Sequence, residues 1–400
     1  MADLGPPADV VIVGAGVVGA ACAYYAARAG LYVAVVEAGT IAGGTTGSGE
    51  GNLLVSDKEP GPELDLALAS LRLWAELAED IEADVEYEPK GGVVVAETPD
   101  GLAALTKLAD SQRSYGVLAE PADGADLAEL EPHLAPGLAG GVHYPQDAQV
   151  QPMLAAAWLL RRAREEGAQV HTGVRVVGID RGAGGRVIGV TTSAGRLAAD
   201  AVVNAAGTWS GEVAALAGVA LPIQPRRGFI LVTEPLPPLV RHKVYDADYV
   251  ANVASSSAGL ETSTVVEGTR GGTILIGASR ERVGFDRTLS VPVLARLAAQ
   301  AVRLFPFLER VSAIRAYRGF RPYLPDHLPV IGPDPRVEGL FHACGHEGAG
   351  VGLAPVTGSL VAAALTGTEP AVDLRAFRAD RFDDDSPPRG SLSYEEQQGR

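Results

Sequence analysis

The sequence predicts an α/β protein with a second, strand-rich part, and three observations carry that prediction. The N-terminus reads as strand, glycine-rich turn, helix and strand. A later stretch, residues 223–284, is rich in strand-like segments without matching helices. The chain has 400 residues, 47% of them apolar, enough for a large core and too many for one simple domain.

The elements follow in order. Residues 10–13 form an apolar strand. An Ala-rich helix is predicted over 17–29 and is stopped by Gly30; a second strand at 32–36 ends on Glu37, completing a βαβ unit. Residues 39–52 (GTIAGGTTGSGEGN) hold too much glycine for regular structure. A long helix over 62–83 buries the side carrying Leu66, Leu73, Trp74 and Leu77. A strand at 92–96 opens a segment reaching about residue 140. Pro152 suits the first turn of a helix over 153–166. Strands follow near 169–180, 186–192 and 201–204, then at 229–233 and 273–277. A helix at 291–305 precedes GFRPYLPDHLPVIG (319–332), where Pro322, Pro325 and Pro329 exclude a helix and leave an extended, stiff segment. The last helix spans 354–365, and the polar residues beyond Phe382 are expected to be disordered.

Charge and cysteine content exclude several functions. A net charge of -16 repels polyphosphate, so nucleic acid is not an expected partner. Cys22 and Cys344 form no metal or disulfide pattern. No signal peptide and no apolar run of membrane-spanning length are visible, so a cytoplasmic protein is expected.

The first chemical motif is GAGVVG, placed directly between strand and helix. Gly14 permits the tight turn, Gly16 lets the backbone approach a pyrophosphate, and Gly19 lets helix and strand pack closely. The helix start offers free N–H groups to phosphate. Glu37 stands where a ribose-binding carboxylate is wanted. The alternative is a tight turn in an α/β protein without ligand. Three later segments favour FAD over NAD. Thr45, Thr46 and Ser48 are placed to meet phosphate. DAVVNAAGTWS (200–210) ends a strand in small residues along which a long cofactor can pass. GHEGAGVG (345–352) precedes the last helix, whose N-terminus would stabilise negative charge on a reduced flavin.

GAGVVG, VVNAAGTWS, GFRPYLPDHLPVIG and GHEGAGVGLAPVTG resemble, in this order, the D-amino-acid oxidase-like flavoproteins, over about residues 9–374. EPHLAPGLAGGVHYPQDAQVQP and CGHEGAGVGLAP resemble most the flavin subunits of hydrogen cyanide synthase, opine oxidase and D-hydroxyproline dehydrogenase; glycine oxidase and sarcosine oxidase are relatives. The resemblance implies a glutathione-reductase-type Rossmann domain for FAD over 1–88, 141–222 and 316–382. It implies an interleaved substrate domain, built on a mixed or antiparallel sheet, over 89–140 and 223–315, leaving 383–400 as a tail. The cofactor contacts it implies comprise Gly14, Gly16, Val17, Val18 and Gly19, then Glu37, Ala38, Thr45, Thr46, Ser48, Gly51, Asn52, Leu53 and Val174. They continue through Ala205, Ala206, Gly207 and Trp209 to Gly345, His346, Gly348, Ala349, Gly350 and Val351.

The resemblance also implies that Arg321 holds a substrate carboxylate, a task that suits a planar guanidinium. The other reading of Arg321 is an ion pair with Asp326 or Asp334, or a cofactor contact. In sarcosine oxidase-like relatives this phrase carries a cysteine joined to the flavin, so Arg321 implies non-covalent FAD. Tyr245 and Tyr249 are expected on one strand face over the ligand, or simply packed. His346 is expected at the flavin or substrate, or as a histidine that supports its own loop. Arg226 and Arg227 read as a solvated pair, the alternative being that they line the domain junction, Arg318 reads as a partner for an acid, and Cys22 as core.

The implied reaction is oxidation of the C–N bond of a small amino acid or secondary amine by an amine or amino-acid dehydrogenase or oxidase. The resembled flavin subunits pass electrons through iron–sulfur partner subunits; two cysteines cannot hold such a cluster, so any such relay would come from another polypeptide, and a stand-alone oxidase using oxygen is the other reading. One alternative is a flavin monooxygenase or another oxidoreductase on a non-amine. Monooxygenases of this fold usually carry a Gly-Asp phrase late in the FAD domain, and here that region reads VIGPDP. A flavoprotein keeping FAD as a structural element is the other.

Overall fold

The computed structural model describes residues 3–383, so the polar tail from 384 onward lies outside the described residues. Two eight-stranded sheets organise the chain. The first has Ala8–Val13 at its centre, paired in parallel with Gly195–Asn204 and Val33–Glu37. Leu340–Cys344 and Gln169–Thr172 extend it in parallel, and Val330–Pro333 closes one edge antiparallel. Val10, Val11 and Ile12 are fully buried, as expected of a parallel strand covered on both faces.

Helix Val17–Arg28 packs on this sheet with helices Pro152–Glu165 and Ala354–Thr366 beside it. Its alanines allow close approach. A Cβ at Gly358 of the last helix would fall 2.6 Å from the Ala21 carbonyl oxygen, so glycine there sets the distance between the two helices.

The second sheet runs Ala313–Tyr323, Gln224–Thr233, Ile274–Arg280, Glu261–Gly268, Lys243–Asp246, Gly92–Ala96, Gly140–Tyr144, Glu120–Ala122. All its pairs are antiparallel except Lys243–Asp246 with Gly92–Ala96. Helix Val291–Leu304 covers one face. The GFRPY stretch is extended, as its prolines require, and forms the end of the edge strand Ala313–Tyr323. Pro322 sits opposite Pro225, where no ladder donor is needed.

Several elements differ from the sequence expectation. The predicted strand over 169–180 is two strands, Gln169–Thr172 and Val176–Arg181, separated at Gly173 with φ of 71°. The strand expected at 201–204 begins at Gly195. Helices Pro99–Arg113 and Gly124–Leu130 fill part of the unassigned segment before residue 140. The glycine-rich loop contains a 3-10 turn, Thr45–Ser48. Tyr245 and Tyr249 do not share a strand face. Tyr245 ends up on strand Lys243–Asp246 and Tyr249 on helix Ala247–Val253, because the Asp246 side chain accepts the Tyr249 N–H and caps that helix. No helix among the described residues is long and apolar enough to cross a membrane.

Candidate cofactor and substrate cleft

A cleft of about 710 Å³ runs from the first sheet to the second, and glycine-rich turns from distant parts of the chain line it. Its first wall is GAGVVG. Gly14 has φ of 113°, and a Cβ there would fall 2.5 Å from the Ala205 carbonyl oxygen. At Gly19 a Cβ would fall 2.1 Å from the Gly14 carbonyl oxygen. Only glycine lets turn, helix and the Ala205–Ala206 segment meet this closely. No side chain of the helix cap itself closes the helix at Gly16; the Thr46 hydroxyl, from the next loop, accepts the Val17 N–H at 3.0 Å.

Glu37 ends its strand with the carboxylate held by two backbone donors, Ala15 N at 2.9 Å and Gly39 N at 2.6 Å. The carboxylate is therefore fixed beside the glycine turn and still has acceptor capacity toward the cleft. Thr45 and Thr208 both donate to the Phe320 carbonyl, at 2.6 and 2.7 Å, tying the loop and the 205–209 turn to the edge strand of the second sheet. At Gly319 a Cβ would fall 2.8 Å from Ser48 Cβ, so the two segments touch directly.

The far end of the cleft is where the sheets meet. Arg321 Nη1 donates to the Ser279 carbonyl at 2.9 Å and lies over Gly228, where a Cβ would fall 2.3 Å from it. On its other side, the nearest approach to Gly348 leaves ordinary van der Waals space. Among the described residues Arg321 has no carboxylate partner. Asp326 is held by Arg381, and Asp334 by Arg336 and His342. The ion-pair reading of Arg321 is thus not what the structure contains.

His346 is buried, contacts the Thr357 hydroxyl through Nε2 at 2.9 Å, and lines the cleft. Burial lowers its pKa to about 3, so its ring is neutral at working pH. Tyr249 lines the cleft, with the Arg280 guanidinium 5.1 Å from its ring centre. Burial lowers the Arg280 pKa, and the nearby Arg321 and Arg226 charges add to that.

The donor set fits a dinucleotide with a flavin end. The glycine turn leaves backbone room for a pyrophosphate, Glu37 stands at the strand end, and the cleft continues past Ala205–Ala206 to the 345–351 turns. A family profile described as FAD dependent oxidoreductase (DAO) matches residues 9–364. The chain belongs to this family. A glycine oxidase of Geobacillus kaustophilus is 32% identical over 380 residues, covering 93% of this chain and 97% of that protein. The hydrogen cyanide synthase subunit HcnC of Pseudomonas aeruginosa is 30% identical, covering 94% of this chain and 96% of that protein. The crystal structure of the Geobacillus kaustophilus glycine oxidase superposes with a TM-score of 0.86 at 30% identity, covering 94% of this chain and 99% of that one. L-proline dehydrogenase from P. horikoshii shares the fold, with a TM-score of 0.86 at 22% identity.

In this FAD-dependent oxidoreductase most of the residues singled out from sequence line the cleft. They include Gly14, Gly16, Val17, Val18, Glu37, Ala38, Thr45, Thr46, Ser48, Asn52 and Val174. Ala205, Ala206, Gly207, Trp209, Arg321, Tyr249, Gly345, His346, Gly348, Gly350 and Val351 do so as well. Gly19, Gly51, Leu53 and Ala349 stand behind the lining. Gly51 is pressed against the Val150 carbonyl and Leu53 pairs with Ala148.

Tyr245 is away from the cleft lining. Its hydroxyl donates to Ser56 Oγ, which in turn donates to buried Asp147. Arg226 and Arg227 are not solvated. Arg226 is fully buried and bonds Glu347 and Glu261; Arg227 bonds Glu281 and Asp286. Arg318 forms no ion pair among the described residues, and its Nε lacks a partner. Sequence reading missed Glu50, Arg175, Ile230 and Arg287 in the lining. Glu50 was visible as the single acid in a glycine-rich loop, whereas Ile230 reads as ordinary strand until its sheet face is known.

Proposed function

We propose that the protein oxidises the C–N bond of a small α-amino acid or N-substituted amino acid, with Arg321 gripping the substrate carboxylate. One observation carries this reading. A guanidinium without an acid partner among the described residues stands in the cleft, on a stiff edge strand, at the end nearest the 345–351 turns. A planar guanidinium offers two parallel donors to a carboxylate, and the strand aims it before substrate arrives.

FAD, which the Gly14–Gly19 turn and Glu37 would hold, would supply a two-electron acceptor for the hydrogen leaving substrate Cα as hydride while the nitrogen lone pair forms the C=N bond. The protein needs no base at Cα for this step. Arg321 fixes the carboxylate, neutral His346 keeps a cationic charge out of its part of the cleft, and Tyr249 walls the substrate side. Water then converts the imine to a keto acid and an amine, or a cyclic imine is released.

The first sheet is assigned here to cofactor and the second to substrate, a division that departs at two strands from domains over 1–88, 141–222 and 316–382 and over 89–140 and 223–315. Strands Gly140–Tyr144 and Ala313–Tyr323 belong to the second sheet and so carry that boundary inward. FAD is held without a covalent bond. Both cysteines are buried, and burial pushes both thiols up to about 12. Acid precipitation should therefore release all the flavin into the supernatant; yellow colour left in the pellet would refute this.

The catalytic test is anaerobic reduction of the holoenzyme by glycine, sarcosine, D-alanine, D-proline and D-hydroxyproline, repeated with oxygen to separate an oxidase from a dehydrogenase that passes electrons to partner subunits. Arg321→Met should raise KM strongly for whichever compound bleaches the flavin. Loss of one partner from a buried charged pair costs about 3–5 kcal/mol, roughly a hundredfold to several thousandfold. An unchanged KM would remove Arg321 from the site.

A further inference from the structure

Glu50 lines the same cleft and has an unfinished hydrogen-bond shell. Its side chain is 6% exposed. Lys243 Nζ lies 3.7 Å from Glu50 Oε2 and 3.6 Å from Glu267 Oε2, both beyond hydrogen-bond reach. One buried ammonium is thus shared by two buried carboxylates. The next lysine, Lys90, is turned to Glu88 at 3.8 Å and to the Gly268 carbonyl. Asn52 Nδ2 donates to Glu50 Oε2 at 3.1 Å. Glu50 Oε1 has no partner among the described residues. A buried carboxylate oxygen without a donor is costly; Lys90 also acts on Glu267, so Glu50, Glu267 and Glu88 face two ammoniums, and the one acid left over favours a cation from outside.

The location of Oε1 gives that cation an identity. A Cβ at Gly277 would fall 2.6 Å from Glu50 Oε1 and 3.0 Å from Ile230 Cδ1. A Cβ at Gly228 would fall 2.3 Å from Arg321 Nη1 and 2.5 Å from the Ser279 carbonyl oxygen. Gly228 and Ile230 alternate onto one face of strand Gln224–Thr233, which pairs with Ile274–Arg280. Arg321 therefore marks one place on this sheet face and Glu50 another, two residues further along both strands. At about 3.4 Å per residue the separation is roughly 7 Å. Both glycines keep the face low there. An anion-binding and a cation-binding group at that spacing suit one small zwitterion with a hydrogen bond at each end.

We infer that Glu50 binds the amine nitrogen of the substrate and sorts amino acids from 2-hydroxy acids. The inference rests on the reading that Arg321 takes the carboxylate. Arg321 alone accepts any small carboxylate. Glu50 adds a charge-assisted bond that an ammonium or secondary ammonium makes on binding, its proton passing to the carboxylate before the nitrogen lone pair forms the C=N bond, and that a neutral hydroxyl makes only weakly.

The test uses the FAD-loaded full chain with Glu50→Gln, which keeps the shape and removes the charge. KM for the amino acid that best reduces the wild-type flavin should rise about tenfold or more. Glycolate affinity, read from the shift of the flavin absorbance band, should stay within about twofold, which also shows that the variant is folded and loaded. Glu50→Asp, retaining charge on a shorter stem, should fall between. An unchanged KM in Glu50→Gln beside a raised KM in Arg321→Met overturns the Glu50 inference alone. Equal weakening of amino acid and glycolate overturns it as well, because it marks a general disturbance. If no amino acid reduces the wild-type flavin, the activity reading falls and the Glu50 inference falls with it.

Discussion

Arg321 and its strand partner Arg226 are the same residue type at facing positions, and their neighbours make them different. Arg226 is fully buried with two carboxylates on it, whereas Arg321 meets one carbonyl and the open cleft. Geometry as well as charge should matter at Arg321. Arg321→Lys keeps the charge and loses the fork, so its KM should lie between those of wild type and Arg321→Met in steady-state assays. The two tyrosines separate in the same way. Tyr245→Phe removes a buried hydrogen bond to Ser56, worth about 0.5–1.5 kcal/mol, so melting temperature should fall while KM stays put. A raised KM in that variant would place Tyr245 at the substrate after all. His346 holds its pKa near 3, so the folded state favours the neutral ring. Its contribution to stability is present above the ordinary histidine value and is lost as pH falls toward 3. The pH–rate profile of flavin reduction between pH 6 and 9 should therefore keep its shape in His346→Gln.

Among elements, the N-terminal βαβ unit was the most legible, because every constraint on it is local. Strand, turn and helix are contiguous, and each glycine has a steric reason. Gly19→Ala would drive a Cβ against the Gly14 carbonyl, which is backbone and cannot swing aside. That variant should purify with little flavin and melt lower, since overpacking costs about 1–3 kcal/mol. A yellow protein of wild-type stability would refute the packing role. Elsewhere short-range signals were present and unused. Thr98 caps helix Pro99–Arg113, and Asp123 with Asp126 forms a capping box on helix Gly124–Leu130. Around Tyr245 an alternating pattern concealed the Asp246 cap that ends the strand.

At the scale of the whole molecule, buried polar groups join parts of the chain that are far apart in sequence. Asp147 receives Ser56 Oγ and the Val55 N–H, Ser56 receives Tyr245 from the second sheet, and Gln112 donates to the carbonyls of Val55, Ser56 and Lys58. Burial raises the Asp147 pKa to about 7 from its ordinary 3.8. A raised carboxyl favours the folded state at low pH, and this contribution is lost as pH climbs from about 4 to about 7. The difference in melting temperature between wild type and Asp147→Asn should shrink over that interval and stay level above it. A difference that does not change with pH would show that Asp147 does not titrate there. The sequence by itself determined the dinucleotide turn, the extended arginine strand and the glycine-rich linings, because local sterics and hydrogen-bond supply fix backbone shape. Tertiary structure alone decided that Arg321 meets no carboxylate among the described residues, which tyrosine faces the cleft and that Glu50 lies along one sheet face from Arg321. Those facts depend on which distant groups satisfy each buried charge, and only strand register brings those groups together.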